Sequence, residues 1–236
     1  MKLGAMQPYL FPYIGYYQLI SAVDKYVIDD NVQYIQRGWI NRNRILIQGK
    51  AHFFIFSIKG KRQAAHTLKI NERFFSDAFE QEKQMFFKKL HHAYSRAPYY
   101  GPVIDLIHDI MRFPETNIAK FITRSIIGVC RYLQITTPFY LASQIPNPQG
   151  LRAADRVIDM NKRMSATQYI NAIGGVPLYS RSQFAQHGIK LNFLKTREII
   201  YGQFKKEFVP DLSIIDVMMF NPKTEIRKFL SAYDFV

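Results

Sequence analysis

Apolar and polar residues at the start of the chain predict a strand, a loop, a helix and a second strand. The strands are the short apolar runs KLGAM and KYVID, and the helix is YYQLISAV. A crossover of this kind normally joins parallel neighbouring strands and leaves its loop at the carboxyl edge of the sheet. Ligands of open α/β sheets bind at that edge, so the loop is the first place to look for a site.

The next apolar run predicts a β-hairpin. In RILIQGKAHFFIFSI, two apolar segments flank the turn residues Gln48, Gly49 and Lys50. Since a hairpin pairs its strands in antiparallel fashion, we expect the sheet to be mixed.

The middle of the chain changes to a helical period. The runs SDAFEQEKQMFFKKLHHAY and TNIAKFITRSIIGVCRYL repeat apolar residues along one helix face, with Ser76 as the expected N-cap of the first. Strand and helix patterns then alternate again, with TQYINAIGG and IKLNFL as strands. We therefore expect a single α/β domain over residues 1–236, with a mixed, largely parallel sheet, flanking helices and a helical insertion at about 76–141.

The net charge of +14 predicts attraction to anions without naming the anion. Nucleic acid, nucleotide phosphates, sugar nucleotides and acidic membrane surfaces all fit, and so does a merely solvated basic surface. The single cysteine, Cys130, excludes an intramolecular disulfide and suits a reducing compartment. Gly4, Gln7 and Pro8 break the first apolar run, so we expect no signal peptide, no membrane span and a cytoplasmic location.

Several familiar chemistries lack their motifs. The sequence contains no HExxH, no GxGxxG and no GxxxxGK[ST], so neither a zinc site nor a P-loop or Rossmann site is expected. We predict no metal site.

The opening loop, MQPYLFPYIGYYQLI, is the first candidate site. Tyrosines do not meet the backbone needs of a plain turn, whereas Gly15 permits close backbone approach and the following helix offers free N–H groups to a phosphate. The alternative is a turn stiffened by proline and packed by aromatic rings. The candidate substrate-binding residues of this loop are Gln7, Tyr9, Tyr13, Gly15 and Tyr16.

A second candidate follows the second strand, in IDDNVQYIQRGWINRNRI. Alternation sends Asp29 and Asp30 to opposite faces, so one of them is expected to face a site. Trp39, Arg42 and Asn43 then supply a stacking ring, a bidentate anion donor and an amide, which together suit a nucleotide or sugar phosphate. The alternative is a surface loop with a buried tryptophan.

A third candidate is Asp216, which lies inside the apolar run LSIIDVMMFN, where Ser213 is the expected helix cap. A carboxylate among core residues is costly unless it is paired. Asp216 is therefore either the partner of an arginine or a site carboxylate with a shifted pKa.

These motifs carry a resemblance to a known family. MQPYLFPYIGYYQLI, DDNVQYIQRGWINRNRI, YINAIGG followed by LY, and LSIIDVMMFN together resemble the WbqC-like protein family over essentially the whole chain. The resemblance implies a bacterial protein associated with surface polysaccharide such as O-antigen, with a suggested role in transferring an amino acid such as glycine. It supplies no catalytic residue, so the site residues rest on their chemistry.

The start of the chain has a second, narrower resemblance. The order of strand, loop, YIGY, helix and strand is similar to the nucleotide-binding unit of adenylyl-transferring enzymes and pantothenate-synthetase-like ligases, whose signature is HxGH. Tyr13 and Tyr16 stand at the histidine positions. Tyrosines can donate to phosphate but do not supply protonated imidazoles. The resemblance implies nucleotide binding, with ATP as a candidate cofactor.

The predicted function is that of an acyltransferase or ATP-dependent amide ligase that attaches an amino acid or acyl group to a nucleotide-activated amino sugar. Arg42 is predicted to bind phosphate, and Trp39 or a tyrosine to stack on base or sugar. Asp30 is predicted to act as base or as hydroxyl ligand, with Asp216 as a second catalytic candidate. The alternative is a basic module that binds tRNA or single-stranded nucleic acid. The expected partner is an anionic small molecule, with nucleic acid as the less favoured choice.

Overall fold

A computed structural model describes residues 1–60, 68–147, 150–205 and 207–236. Its strands and helices follow the rhythm that the sequence predicts. In chain order the elements are β1 (Lys2–Met6), α1 (Ile14–Ser21), β2 (Lys25–Ile28), β3 (Arg42–Ile47), β4 (Lys50–Ile55), α2 (Phe79–Tyr94), α3 (Tyr100–Met111), α4 (Ile118–Tyr132), β5 (Phe139–Leu141), α5 (Ala153–Arg163), β6 (Gln168–Ala172), α6 (Arg181–Ala185), β7 (Lys190–Thr196), α7 (Ile214–Phe220), α8 (Lys223–Phe229) and β8 (Tyr233–Phe235).

The main sheet has six strands in the order β5-β2-β1-β6-β7-β8. Every neighbouring pair is parallel except β7 and β8, which are antiparallel. The prediction of a mixed, largely parallel α/β sheet is confirmed. The sheet is mixed because β8 is antiparallel to β7, and not because of the predicted hairpin. The predicted hairpin, β3 and β4, forms a separate two-stranded sheet, and β3 packs against α2 and α7.

The strand order places a topological switch between β1 and β6. From β1 the chain proceeds through α1 to β2 on one side, whereas from β6 it proceeds through α6 to β7 on the other side. The connections therefore leave β1 and β6 in opposite directions and open a crevice above their carboxyl ends. This crevice is where an open α/β sheet binds its ligand.

The region predicted as a helical insertion contains α2, α3 and α4, and it also contains β5, which extends the main sheet beside β2. Ser76 does not cap α2, because the chain first makes a turn and the N-cap position falls on Ala78. Ser213 does cap α7, since its hydroxyl accepts from the Ile215 amide at 3.2 Å.

Apolar side chains fill both faces of the sheet. The larger core joins α1, the hairpin and α2 to α4, and the smaller core lies under α5 and α6. Alternation along β1 and β2 divides their side chains between the two cores. Within the described ranges, no helix has both the length and the apolar character needed to cross a bilayer.

Candidate functional site

A cleft of about 470 Å³ opens beside the switch point, and we name it the hairpin cleft. Ile173 follows β6 directly, Lys195 and Thr196 end β7, and β3 closes the opposite wall. Its lining residues come from the opening loop, the hairpin and the carboxyl ends of the strands: Tyr9, Pro12, Tyr13, Trp39, Asn43, Arg44, Ile173, Lys195, Thr196 and Asp211. The volume falls in the range of small-molecule sites.

The opening loop divides its predicted residues between the cleft and the core. Tyr9 and Tyr13 line the cleft, whereas Tyr16 is fully buried and donates its hydroxyl to the Gln7 carbonyl at 3.0 Å. Burial raises the pKa of both Tyr9 and Tyr13, and the nearby Asp211 charge raises that of Tyr13 further. Both phenols are therefore protonated hydrogen-bond donors at neutral pH.

Gly15 is needed because two side chains press against its backbone. A Cβ atom at this position would lie 2.4 Å from Cε2 of Tyr13 and 2.6 Å from Oγ1 of Thr196. Those two residues both line the cleft. The glycine therefore shapes the cleft wall through packing, without contributing a side chain of its own.

The cleft contains Arg44 where the sequence had suggested Arg42. Arg42 donates its Nε to the Gly38 carbonyl at 2.9 Å and a second N–H to the Arg37 carbonyl, and its guanidinium lies 4.8 Å from the Phe53 ring centroid. Arg42 is not among the cleft-lining residues. Alternation places Arg44 on the same face of β3 as Arg42, and Arg44 does line the cleft.

The Arg44 guanidinium is held in place, but not all of its N–H groups have a hydrogen-bond partner. One terminal N–H donates to the Asp211 carbonyl at 2.9 Å, and the guanidinium lies 5.4 Å from the Trp39 ring centroid. Its Nε is buried and finds no hydrogen-bond partner among the described residues. An uncompensated N–H of a permanent cation suits an anionic ligand.

Trp39 and Asn43 support this arginine. The Trp39 ring stacks on Phe53 with centroids 6.0 Å apart, so Phe53 and Arg44 already contact it. The Asn43 amide donates to the carbonyls of Leu10 and Phe11 and accepts from the Arg44 amide at 2.8 Å. Asn43 therefore ties the opening loop to the hairpin, and Trp39 holds the Arg44 guanidinium in place.

Asp29 and Asp30 do diverge at the end of β2. Asp29 forms an ion pair with Arg156 of α5 at 2.7 Å, while both carboxylate oxygens of Asp30 accept from Ser143, at 2.8 Å from its amide and 2.6 Å from its hydroxyl. Neither carboxylate is among the residues that line the hairpin cleft.

Asp216 is fully buried and is paired with neutral donors. Its carboxylate accepts from Tyr94 at 2.7 Å, from Tyr201 at 2.6 Å and from the Gln203 amide at 2.9 Å. No ion pair to Asp216 occurs in the part of the chain that the structure describes, so the arginine partner considered from the sequence is not observed. Burial raises its pKa, and the three hydrogen bonds oppose that effect.

Asp211 is the carboxylate that does line the cleft, and sequence reasoning missed it. Its side chain is exposed, and it has no hydrogen-bond or ion-pair partner within the described residues. Its backbone has φ of 56°, a left-handed conformation that aspartate tolerates better than most residues. The surrounding letters, VPDLS, carry no periodic signal that would single this residue out.

The protein has an α/β fold in which a cleft beside the topological switch point combines a cation, phenol donors and a carboxylate. Within the described ranges, no group of three or more His, Cys, Asp or Glu residues is arranged to hold a metal ion.

The chain belongs to the WbqC-like protein family, whose model matches residues 7–228, and the resemblance of its motifs is thereby confirmed. An uncharacterised protein of Mycobacterium tuberculosis is 26% identical over 237 aligned residues, which cover 97% of each chain. No solved structure matches the chain significantly.

Proposed function

We propose that the protein is a biosynthetic transferase or ligase that binds a nucleotide-activated amino sugar in the hairpin cleft and attaches an amino acid or other acyl group to the sugar amine. Surface-polysaccharide biosynthesis in bacteria is the proposed context, on the strength of the family. The observation that carries the proposal is the buried, unpartnered Nε of Arg44 beside two phenol donors and an open carboxylate.

Each polar group of the cleft has a role in this proposal. Arg44 binds a phosphate oxygen, because a held guanidinium with a free N–H is a strong anion donor. Tyr9 and Tyr13, with their raised pKa values, donate hydrogen bonds to the sugar or to the acyl carbonyl. Asp211, whose exposed side chain lines the cleft, is the proposed proton acceptor.

The proposed chemical step is attack of the sugar amine on an activated acyl carbon. The nitrogen lone pair forms the new C–N bond, the carbonyl oxygen gains negative charge next to the phenol of Tyr13, and Asp211 removes a proton from the nitrogen. The bond to the leaving group then breaks, and its electron pair leaves with that group. ATP is the proposed source of activation if the enzyme acts as a ligase.

The catalytic roles suggested for Asp30 and Asp216 remain predictions. The surroundings of both residues favour a structural role. Every oxygen of both carboxylates already accepts a hydrogen bond from the protein. Asp211 replaces them in the proposal because its carboxylate is open to the cleft.

The proposal is tested by titrating the protein with a panel of uridine diphosphate sugars and by mass spectrometry of mixtures that also contain glycine and ATP. With the active pair identified, Asp211→Asn should lower turnover by about two to four orders of magnitude, with ligand affinity and melting temperature retained. Asp30→Asn serves as the comparison variant. Unchanged turnover in Asp211→Asn, or equal losses in both variants, would remove Asp211 from the role of base.

The alternative of a nucleic-acid-binding module is favoured by one surface feature. Three hairpin residues and the preceding Trp39 form a stacked row, in the order Arg42, Phe53, Trp39 and Arg44, and the chain carries a net charge of +14. Fluorescence anisotropy with a labelled single-stranded oligonucleotide separates the two functions. Affinity that falls steeply with salt, together with no binding of sugar nucleotides, would favour the module.

A further inference from the structure

A second and larger cavity, of about 910 Å³, lies between α3, α4 and the end of β5, and we name it the helical cavity. It shares no lining residue with the hairpin cleft. Its walls are mainly apolar, and the side chains that form them are Leu106, Ile110, Phe113, Ile127 and Leu141. A cavity of this size at the edge of an α/β sheet can enclose a small organic molecule.

Two buried polar atoms in the wall of this cavity have no partner. Oγ1 of Thr123 and Oδ1 of Asn71 are shielded from solvent and make no hydrogen bond within the described residues. A buried polar atom without a partner destabilises the fold, because it has lost its hydrogen bonds to water. A ligand in the cavity that accepts from the Thr123 hydroxyl and donates to the Asn71 amide oxygen would remove this destabilisation.

Two arginines at the cavity rim, Arg124 and Arg131, form no ion pair within the described residues, whereas the neighbouring Lys120 pairs with Glu115 at 3.9 Å. Lys120, Arg124 and Arg131 project from the cavity face of α4, and the guanidinium of Arg124 lies 4.8 Å from the Phe113 ring centroid. Arg124 forms no ion pair within the ranges that the structure covers. The carboxylates at the cavity are Asp109 and Asp30, and Ser143 already occupies both oxygens of Asp30.

We propose that the helical cavity is a second binding site, for an amphipathic organic anion with an apolar chain and a carboxylate head. The chain packs against the apolar walls, and the carboxylate lies between Arg124 and the Thr123 hydroxyl. An added hydroxyl or amine on the ligand serves Asn71. This site does not depend on the function proposed for the hairpin cleft.

The test uses isothermal titration of the full chain with octanoate, with 1-octanol and with inorganic phosphate. Octanoate should bind with a Kd below about 1 mM, and both the neutral alcohol and phosphate should bind at least about tenfold more weakly. Equal binding of octanol and octanoate, binding of phosphate alone, or no binding of octanoate would overturn the proposal.

Two variants locate the site, with a matched control. Thr123→Val keeps the side-chain volume and should weaken octanoate about threefold to tenfold, while the melting temperature stays equal or rises because an unpartnered hydroxyl is removed. Arg124→Met should weaken octanoate about tenfold, whereas Arg96→Met, at an exposed arginine outside the cavity, should leave it unchanged. Equal losses in Arg124→Met and Arg96→Met would show a non-specific charge effect and contradict the site.

The hairpin cleft provides a further control. Arg44→Met should leave octanoate binding unchanged, since Arg44 does not line the helical cavity. If the protein binds octanoate but no sugar nucleotide, the proposal for the hairpin cleft fails and that for the helical cavity stands. If it binds a sugar nucleotide but no octanoate, the reverse holds.

Discussion

Asp216 and Asp211 lie a few positions apart in the sequence but in opposite physical settings. Asp216 is fully buried, and three side-chain donors from α2 and the segment before α7 occupy its oxygens. The Asp211 side chain is exposed at the hairpin cleft, while its backbone carbonyl holds Arg44. The comparison shows that burial together with protein hydrogen-bond partners separates a carboxylate that is used within the fold from one that is open to the cleft.

The arginines of β3 repeat this contrast. Arg42 donates to two backbone carbonyls and stacks on Phe53, so its guanidinium is largely used by the protein. Arg44, on the same strand face, lines the cleft, and its buried Nε has no hydrogen-bond partner within the described residues. Two arginines on the same face of one strand thus differ in how many of their N–H groups are left for a ligand.

The largest expected effect is a loss of stability at the buried Asp216. Tyr94→Phe removes the hydroxyl that donates to Asp216 and accepts from the Leu46 amide at 2.8 Å, which leaves two buried polar groups unpaired. We expect a loss of about 3 kcal/mol in the free energy of unfolding, measured by urea denaturation. Sugar-nucleotide affinity should stay unchanged. A loss below about 1 kcal/mol would show that this network does not stabilise the core.

The next effect tests the packing that shapes the cleft. In Gly15→Ala the new methyl group meets Tyr13 and Thr196, so the Tyr13 ring must move, and we expect a cost of about 2 kcal/mol together with weaker ligand binding. Gly202→Ala is the matched control, because no atom of the described residues lies within 4 Å of its Cβ position. Comparable melting temperatures for the two variants would contradict the close contact at Gly15.

The arginine contrast is tested by binding. Arg44→Met should weaken a phosphate-bearing ligand about tenfold, which corresponds to about 1.4 kcal/mol, because the cleft loses its held guanidinium. Arg42→Met should change the affinity less than about twofold, since Arg42 serves backbone carbonyls. Calorimetric titration of both variants decides this, and a greater loss in Arg42→Met would restore the sequence-based choice.

The smallest effect concerns pH. Because burial raises the pKa of Asp216 in the folded state, the folded protein binds this proton more tightly than the unfolded chain. This proton binding therefore contributes to the free energy of unfolding. The contribution is fully present below the pKa of Asp216 in the unfolded chain and is lost as the pH rises through its raised pKa in the folded protein. The free energy changes by at most about 1.4 kcal/mol per pH unit.

Asp216→Asn should remove that part of the pH dependence. The difference in unfolding free energy between wild type and variant should fall with rising pH in the acidic range and become constant above it. A difference that instead increased with pH would mean that the hydrogen bonds from the tyrosines outweigh burial.

Local patterns in the sequence determined the elements of this protein. The runs KLGAM, KYVID and TQYINAIGG predicted β1, β2 and β6, and the turn at Gln48 to Lys50 predicted the hairpin. These elements depend on the alternation or period of nearby side chains, which one sequence displays directly. The short edge strands β5 and β8 carry only three residues each, too few to show a period.

Only the tertiary structure decided which polar residues are satisfied and which are open. Asp216 meets Tyr94, 122 positions away in the chain, and Arg44 meets the carbonyl of Asp211, 167 positions away. No local pattern encodes such pairs, because a hydrogen bond forms wherever folding brings a donor and an acceptor within about 3 Å. The opening loop could be identified from its residue types, whereas the choice of Arg44 over Arg42 and of Asp211 over Asp216 required the packed chain.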